Sequence, residues 1–222
     1  MIPKKIHTFW LSGNEIPEWA QTNMATWTEQ NLEYEVVIHY ADEFAELVNT
    51  CEYYAAAINA GEWAFATDYL RCKVLYEEGG WYMDADVVCI KPLDGLTDEF
   101  GERGYWLSCE TPEITNQIET AVMAFEPGNE LMGEMISEYE AWTDGDGFTL
   151  MPEVMERIIT GMNAELEILD REYFSGLRGL VEIPHTNDLP SAHAYKTGIL
   201  STENSYTIHL ITHTGYSWSE QA

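Results

Sequence analysis

The first forty or so residues alternate between strand-like and helix-like patterns, and this alternation constrains the fold more than any other feature. The segment KKIHTFWL has the pattern of a strand that ends before SGNEIP, where Gly13 and Pro17 favour a turn. A helix is predicted from about Glu18 to Asn31, and YEVVIHY has the pattern of a second strand. Strand, helix and strand in succession indicate a βαβ unit. We therefore expect one α/β domain with a mostly parallel sheet flanked by helices.

The same periodicities predict the later elements. A helix from Glu62 to Glu78 is followed by Gly79, which suits a left-handed C-cap, and WYMDADVVCI is predicted to be a central strand. Asp42 is the predicted N-cap of a short helix, EFAELVNT. Further predicted strands are YWLSCE, IETAVMAF and SYTIHLITH, and further predicted helices are LMGEMISEYEAW and PEVMERIITGM.

Charge narrows the range of partners. Asp and Glu number 39 against 10 Lys and Arg, for a formal net charge of −29. Nucleic acids and anionic bilayers need clustered basic residues, so both are excluded as expected partners. The N-terminus lacks an apolar signal core and no apolar run is long enough to span a membrane, which predicts a soluble cytoplasmic protein. The four cysteines form no C-x-x-C pair and are expected to be reduced core thiols.

Two acidic residues stand one position apart after a glycine pair, in GGWYMDADV. On a strand, alternate side chains share a face, so Asp84 and Asp86 would point the same way, about 7 Å apart. Ligands of parallel sheets bind at the carboxyl ends of strands, and two ionised carboxylates there would be held by a hard divalent cation. The alternative is a solvated strand end, because a chain this acidic produces D-x-D by chance.

Asp68 and Arg71 are three residues apart on the predicted helix, and are therefore neighbours on its surface. One interpretation is an exposed ion pair worth less than about 1 kcal/mol. The other is a functional pair, in which Arg71 faces a diphosphate or is steered by Asp68, which itself accepts hydrogen bonds from sugar hydroxyls. The spacing alone leaves both open.

Three segments together resemble a known family: IPKKIHTFWLSG, ATDYLRCKVLYEEGGWYMDADV and a terminal H…SW. They are similar to the retaining, metal-dependent GT-A glycosyltransferases with a D-x-D sugar-binding motif. Relatives are fungal α-1,6-mannosyltransferases, bacterial capsular-polysaccharide glycosyltransferases and, more distantly, the clostridial glucosylating toxins. The resemblance implies a Rossmann-like GT-A fold. It also implies that Asp86 binds Mn²⁺ or Mg²⁺ directly, that Asp84 contacts the metal and the ribose or donor sugar, and that Asp68 and Arg71 hold the donor hexose.

The ends of the chain carry further implied site residues. Trp10 would stack on the nucleotide base with Phe9 and Leu11 beside it, although its strand pattern alone favours a core position. His213 is the implied third metal ligand and His209 the competing one, because the histidine pair that is adjacent in the family is spread here. The terminal residues Ser217 and Trp218 would reach the diphosphate.

The resemblance implies retaining transfer of a hexose from a nucleotide diphosphate sugar, with UDP-hexose favoured and GDP-mannose possible, to a glycan or other hydroxyl acceptor, in polysaccharide biosynthesis. Residues 1–100 would bind the donor, and residues 101–222 would form the acceptor side and a closing segment. Asn116, Gln117 and Glu119 are candidate acceptor-side groups, and no nucleophile is evident. The alternatives are a Mg²⁺-dependent phosphohydrolase or nucleotidyltransferase and a non-catalytic sugar-binding module. The implied catalytic residues are Asp68, Arg71, Asp84, Asp86 and Trp218.

Overall fold

The computed structural model describes residues 1–109, 118–162, 166–176, 198 and 201–210. Within these residues the strands are β1 (Lys5–Trp10), β2 (Glu35–Tyr40), β3 (Gly80–Met83), β4 (Val87–Cys89), β5 (Tyr105–Trp106), β6 (Val122–Phe125) and β7 (Thr207–His209). The α-helices are α1 (Glu18–Gln30), α2 (Glu52–Ala60), α3 (Trp63–Glu77), α4 (Asp94–Phe100), α5 (Glu130–Glu140) and α6 (Met151–Met162). Short 3₁₀ helices cover Ala41–Asn49 and Arg171–Tyr173.

The main sheet has the strand order β2-β1-β3-β6-β5. Strand β1 runs parallel to both β2 and β3, as the βαβ pattern predicts, whereas β6 is antiparallel to β3 and β5. The α/β class is confirmed, and the sheet is mixed with a parallel core. A separate two-stranded sheet pairs β4 with β7, with Val87 opposite His209.

The two faces of the main sheet bury different cores, because successive side chains of a strand point to opposite faces. Phe9, Tyr82 and Met123 belong to one core, which packs against α2, α3, α5 and α6. Trp10 and Trp81 belong to the other, with the buried face of α1 and residues of α4. The alternation in WYM and HTFW therefore builds a three-layer α/β structure with helices on both faces of the sheet.

The glycine pair is required by close packing at the start of β3. Gly79 has φ +68°, and a Cβ there would lie 2.6 Å from the Pro127 ring. Gly80 has φ +106°, and its Cβ would meet the Lys5 carbonyl oxygen at 2.9 Å. The left-handed conformation predicted for Gly79 is confirmed, and any side chain at either position would push β3 away from β1 or from the loop before α5.

Several local predictions need correction. The 3₁₀ helix begins at Ala41 with Tyr40 as its N-cap, so Asp42 lies inside the first turn; Glu43 instead accepts the Tyr40 backbone N–H at 2.7 Å. The predicted strand YWLSCE reduces to β5 and isolated bridges from Ser108 and Cys109. The four cysteines are free thiols, as predicted. Among the helices that the structure describes, none is long and apolar enough to cross a bilayer.

Candidate active site

The two aspartates lie on a tight turn between β3 and β4. The sequence predicted one continuous strand through WYMDADVVCI, and this is wrong: β3 ends at Met83 in the main sheet, and β4 begins at Val87 in the two-stranded sheet. The Val87 backbone N–H donates to the Asp84 carbonyl oxygen at 3.0 Å, which closes the turn. Both carboxylates therefore face one point because the chain turns, and not because they alternate along a strand.

Helix α1 and the residues next to β6 and β7 hold this turn by hydrogen bonds. The Asn23 side chain donates to the Ala85 carbonyl oxygen at 3.0 Å, and the Trp27 indole donates to the Val87 carbonyl oxygen at 2.8 Å. The Asp84 N–H donates to the Ala121 carbonyl oxygen, and the Asp86 carbonyl oxygen accepts the Leu210 N–H, both at 2.9 Å. Asn23 and Trp27 are both buried. Their polar groups thus fix the turn, although sequence analysis gave them no such role.

A third potential ligand comes from β7. Asp84, Asp86 and His209 each offer one ligand atom, and these three atoms lie within 4.8 Å of one another. His209 Nε2 is 3.4 Å from Asp86 Oδ1. Two carboxylate oxygens and one imidazole nitrogen at this spacing fit a divalent cation. His213, the ligand that the family resemblance implied, lies outside the described residues.

Arg71 and Asp68 form a buried ion pair. Arg71 Nη2 is 3.0 Å from Asp68 Oδ1, and the two side chains are only 6% and 9% exposed. The surface-pair interpretation is therefore wrong. Arg71 also donates to the Thr120 carbonyl oxygen at 2.9 Å and lies over the Tyr82 ring at 4.3 Å, while its Nη2 is 3.8 Å from Asp84 Oδ1. The guanidinium thus links α3 to the acidic turn.

Burial changes the protonation of the acidic groups near Arg71. Burial raises the pKa of Asp68 to about 7, although the positive charge of Arg71 opposes this shift. Burial also raises the pKa of Asp84, against the effect of Arg71 and together with the negative charge of Asp86. The Tyr82 hydroxyl donates to Asp84 Oδ1. The site therefore holds clustered carboxylates that a bound cation would favour in the ionised form.

A cavity of about 330 Å³ opens beside the turn. The predicted residues Phe9, Trp10 and Leu11 line it together with Asp84, Asp86 and Arg71, whereas Asp68 is not among the lining residues. Trp10 is 7% exposed and is also part of a core cluster. Ser217 and Trp218 lie outside the described residues. Other lining residues that sequence analysis did not identify include Trp19, Trp63, Thr8 and Thr67.

Glu119 lies behind the metal-ligand candidate His209 and not at an open acceptor site. It was a candidate acceptor-side group, but its side chain is 4% exposed and lies behind His209, with Oε2 3.3 Å from His209 Nδ1. Burial acts to raise the pKa of Glu119, but the positive charge of His209 and hydrogen bonds from His209, Ser175 and the Ala121 N–H lower it to about 2. Burial acts to lower the pKa of His209, and the charges of Glu119 and Asp86 raise it well above its usual value. The other two acceptor-side candidates, Asn116 and Gln117, lie outside the described residues.

A known protein family matches the segment that contains the acidic turn. Residues 17–102 match the family described as "Glycosyltransferase sugar-binding region containing DXD motif". The matched segment includes Asp68, Arg71, Asp84 and Asp86, and it excludes His209. No curated protein matches the chain.

Solved structures resemble the fold over most of the chain. The PaToxG glycosyltransferase superposes with a TM-score of 0.58 at 20% identity, over 72% of this chain and 70% of that chain. A glycosyltransferase involved in the glycosylation of the major capsid of PBCV-1 gives 0.51 at 12% identity, over 94% of both chains. The apo form of the glycosyltransferase GlyE of Streptococcus pneumoniae TIGR4 gives 0.52 at 10% identity, over 96% of this chain and 55% of that one. At these identities the similarity shows a shared GT-A fold.

Proposed function

We propose that this chain, whose residues 17–102 match a DXD-containing sugar-binding region, is a glycosyltransferase that moves a hexose from a nucleotide diphosphate sugar to a hydroxyl acceptor with retention of anomeric configuration. The observation that carries the proposal is the convergence of Asp84, Asp86 and His209 beside a cavity that Arg71 also lines. A UDP-hexose is the favoured donor and GDP-mannose the second, with a glycan in polysaccharide biosynthesis as the acceptor.

The three converging side chains are the proposed metal ligands. Carboxylates suit Mg²⁺ and Mn²⁺ alike, and the imidazole nitrogen favours Mn²⁺ over Mg²⁺. A bound divalent ion would supply charge neutralisation of the leaving diphosphate. His209 is the histidine ligand that we propose, and His213 lies outside the described residues.

The other lining residues bind and orient the donor in this proposal. Arg71 contributes a fixed positive charge near the diphosphate, because its contacts with Asp68 and the Thr120 carbonyl hold the guanidinium in place. Trp10 provides a face for the base with Phe9 and Leu11 beside it, and Ser217 and Trp218 close over the diphosphate. Asp68 is buried and does not line the cavity, so in this proposal it positions Arg71 and reaches the hexose only if the donor enters deeply.

Retention is proposed without a protein nucleophile. Among the described residues that line the cavity, the carboxylates are Asp84 and Asp86, and both are assigned to the cation. The bond from the anomeric carbon to the diphosphate oxygen breaks, and the acceptor oxygen bonds to the same face of the sugar. The acceptor hydroxyl proton passes to the leaving diphosphate oxygen, so no protein base is consumed. We also propose that residues 1–100 bind the donor, that residues 101–222 form the acceptor side, and that the protein acts in the cytoplasm.

Two other functions predict different products. A phosphohydrolase would cleave within the diphosphate and release a nucleoside monophosphate, and a nucleotidyltransferase would transfer that monophosphate to its own acceptor. A sugar-binding module would release no nucleotide. The test is incubation with a panel of nucleotide sugars and Mn²⁺, with and without glycan acceptors, followed by chromatography of nucleotides and NMR of the product anomer. We expect a nucleoside diphosphate and a product with the configuration of the donor.

Asp86→Asn provides the matched variant. It removes one negative charge with almost no change in volume, so we expect loss of Mn²⁺-dependent turnover with an unchanged urea unfolding midpoint. Asp144→Asn makes the same change at an exposed loop position and should retain full activity. Full activity of Asp86→Asn, or of the parent protein in excess chelator, would contradict the metal assignment.

A further inference from the structure

A buried carboxylate outside the proposed ligand set is held against His209. Glu119 Oε2 lies 3.3 Å from His209 Nδ1 and accepts a hydrogen bond from the Ser175 hydroxyl. Its other oxygen, Oε1, accepts the Ala121 N–H at 2.8 Å. The Glu119 backbone N–H donates to the Ser108 carbonyl oxygen at 2.8 Å. Side chain and backbone of Glu119 are thus both fixed, and the side chain has little freedom to turn away from the histidine.

This arrangement determines which nitrogen of His209 keeps its proton when a metal ion replaces the other proton of the charged ring. An ionised carboxylate only accepts hydrogen bonds, so Nδ1 must be the donor in the contact with Glu119. The other nitrogen, Nε2, points to Asp86 Oδ1 at 3.4 Å, which is the side of the cation cluster. A metal takes the lone pair of a neutral imidazole, and only the tautomer protonated at Nδ1 has that lone pair on Nε2.

We infer that Glu119 is a positioning residue, which fixes the ring orientation and Nδ1–H tautomer of His209 so that Nε2 is available to the metal. Ser175 supports it by holding Glu119 Oε2. This inference rests on the proposed metal site of the previous section. It gives Glu119 a role behind the metal ligand rather than in acceptor binding. Loss of such a partner behind a ligating histidine typically weakens metal affinity 10–100-fold.

Direct Mn²⁺ binding tests the inference without donor or acceptor. Free Mn²⁺ is measured by electron paramagnetic resonance during titration of the parent protein, Glu119→Gln, Ser175→Ala and Thr207→Val. Glu119→Gln keeps the shape of the side chain but removes its charge, and its amide can donate to Nδ1 and reverse the tautomer. We expect its Kd for Mn²⁺ to rise at least 10-fold, with a smaller rise in Ser175→Ala.

The control separates positioning from stability. Thr207 is fully buried on the same strand, and its hydroxyl donates to the Phe174 carbonyl oxygen at 2.9 Å. Thr207→Val therefore perturbs β7 without touching the contact of His209 with Glu119, and its Mn²⁺ affinity should match the parent's. If Glu119→Gln does not fold, the comparison of Ser175→Ala with Thr207→Val at equal loss of stability decides the question.

A spectroscopic signature completes the test. In the Zn²⁺-loaded parent protein, long-range ¹H–¹⁵N spectra should show His209 protonated at Nδ1 and metal-bound at Nε2. Protonation at Nε2 there, or Mn²⁺ affinity of both Glu119→Gln and Ser175→Ala within twofold of the parent's, would overturn the role of Glu119. A parent protein that binds no Mn²⁺ would instead refute the metal site itself, and with it the proposed function.

Discussion

A buried histidine pair predicts a measurable loss of stability in acid. His7 on β1 is fully buried, with Nε2 3.0 Å from the Gly79 carbonyl oxygen and Nδ1 3.0 Å from His39 Nε2. A carbonyl oxygen only accepts, so Nε2 is the donor and Nδ1 accepts from His39. Burial and the positive charge of His39 lower the pKa of His7 from 6.5 to about 4.

The sign and size of the effect follow from proton linkage. Below pH 6.5 the unfolded chain binds a proton at His7 that the folded protein rejects until about pH 4, so the free energy of unfolding falls as the pH falls. Each pH unit below the unfolded pKa contributes about 1.36 kcal/mol, so lowering the pH from 7.5 to 5.0 costs about 2 kcal/mol in total. Asp68, whose pKa is raised to about 7, acts in the opposite direction in the same window, because the folded protein then binds the extra proton.

The comparison of two proteins isolates His7 from Asp68. Urea unfolding of the parent protein and of His7→Gln is measured between pH 7.5 and 5.0. This range stays above the isoelectric point of 4.2, at which the protein would precipitate. The variant lacks the titrating ring and keeps Asp68, so the stability advantage of the parent should shrink by about 2 kcal/mol across this range. Parallel pH dependences of the two proteins would refute the argument that the fold excludes a proton from His7.

Three further outcomes are expected. In urea unfolding, Gly79→Ala should destabilise the fold more than Gly61→Ala does. Both positions have a similar positive φ, but only a Cβ at Gly79 would meet Pro127. Equal losses of stability would contradict this packing argument. Asn23→Ala should weaken Mn²⁺ binding in titrations, since it removes the hydrogen bond to the DXD turn, and unchanged affinity would count against that role. Trp10→Ala should lower UDP affinity in calorimetry by about 1–3 kcal/mol if a stack is lost, whereas a loss confined to stability would mark a core residue.

The local sequence pattern was sufficient to predict the helices and strands that depend mainly on residues close in sequence. The bounds of β1, α1, β2 and α3 follow the predicted ones within about two residues, because each has strong periodicity and a turn or glycine at its end. The acidic turn was missed because its stability comes from distant groups. Asn23 and Trp27 donate hydrogen bonds to the carbonyl oxygens of Ala85 and Val87, and the segment WYMDADVVCI contains neither donor.

The site residues also fall into those that a single segment predicts and those that only the fold brings together. Asp68, Arg71, Asp84 and Asp86 lie within twenty or so residues of one another and were all predicted from that segment. The structure brings Glu119 behind His209 through β6 and β7, and no spacing rule relates these two positions. The burial of Asp68 and Arg71 likewise depends on packing against residues far along the chain, so the choice between a surface pair and a buried pair could not be made from their spacing.

The small sheet formed by β4 and β7 brings together two of the proposed metal ligands. Metal binding should therefore oppose local unfolding of this sheet. It contains three residue pairs, and a two-stranded sheet of this size has little stability of its own. His209 lies on one strand, and Asp86 directly precedes the other, more than a hundred positions earlier in the chain. A cation that bridges them binds only the paired form, and at 100 times its Kd it would stabilise that form by about 2.7 kcal/mol. Amide exchange of Leu210, which donates to the Asp86 carbonyl, should therefore slow about a hundredfold with metal.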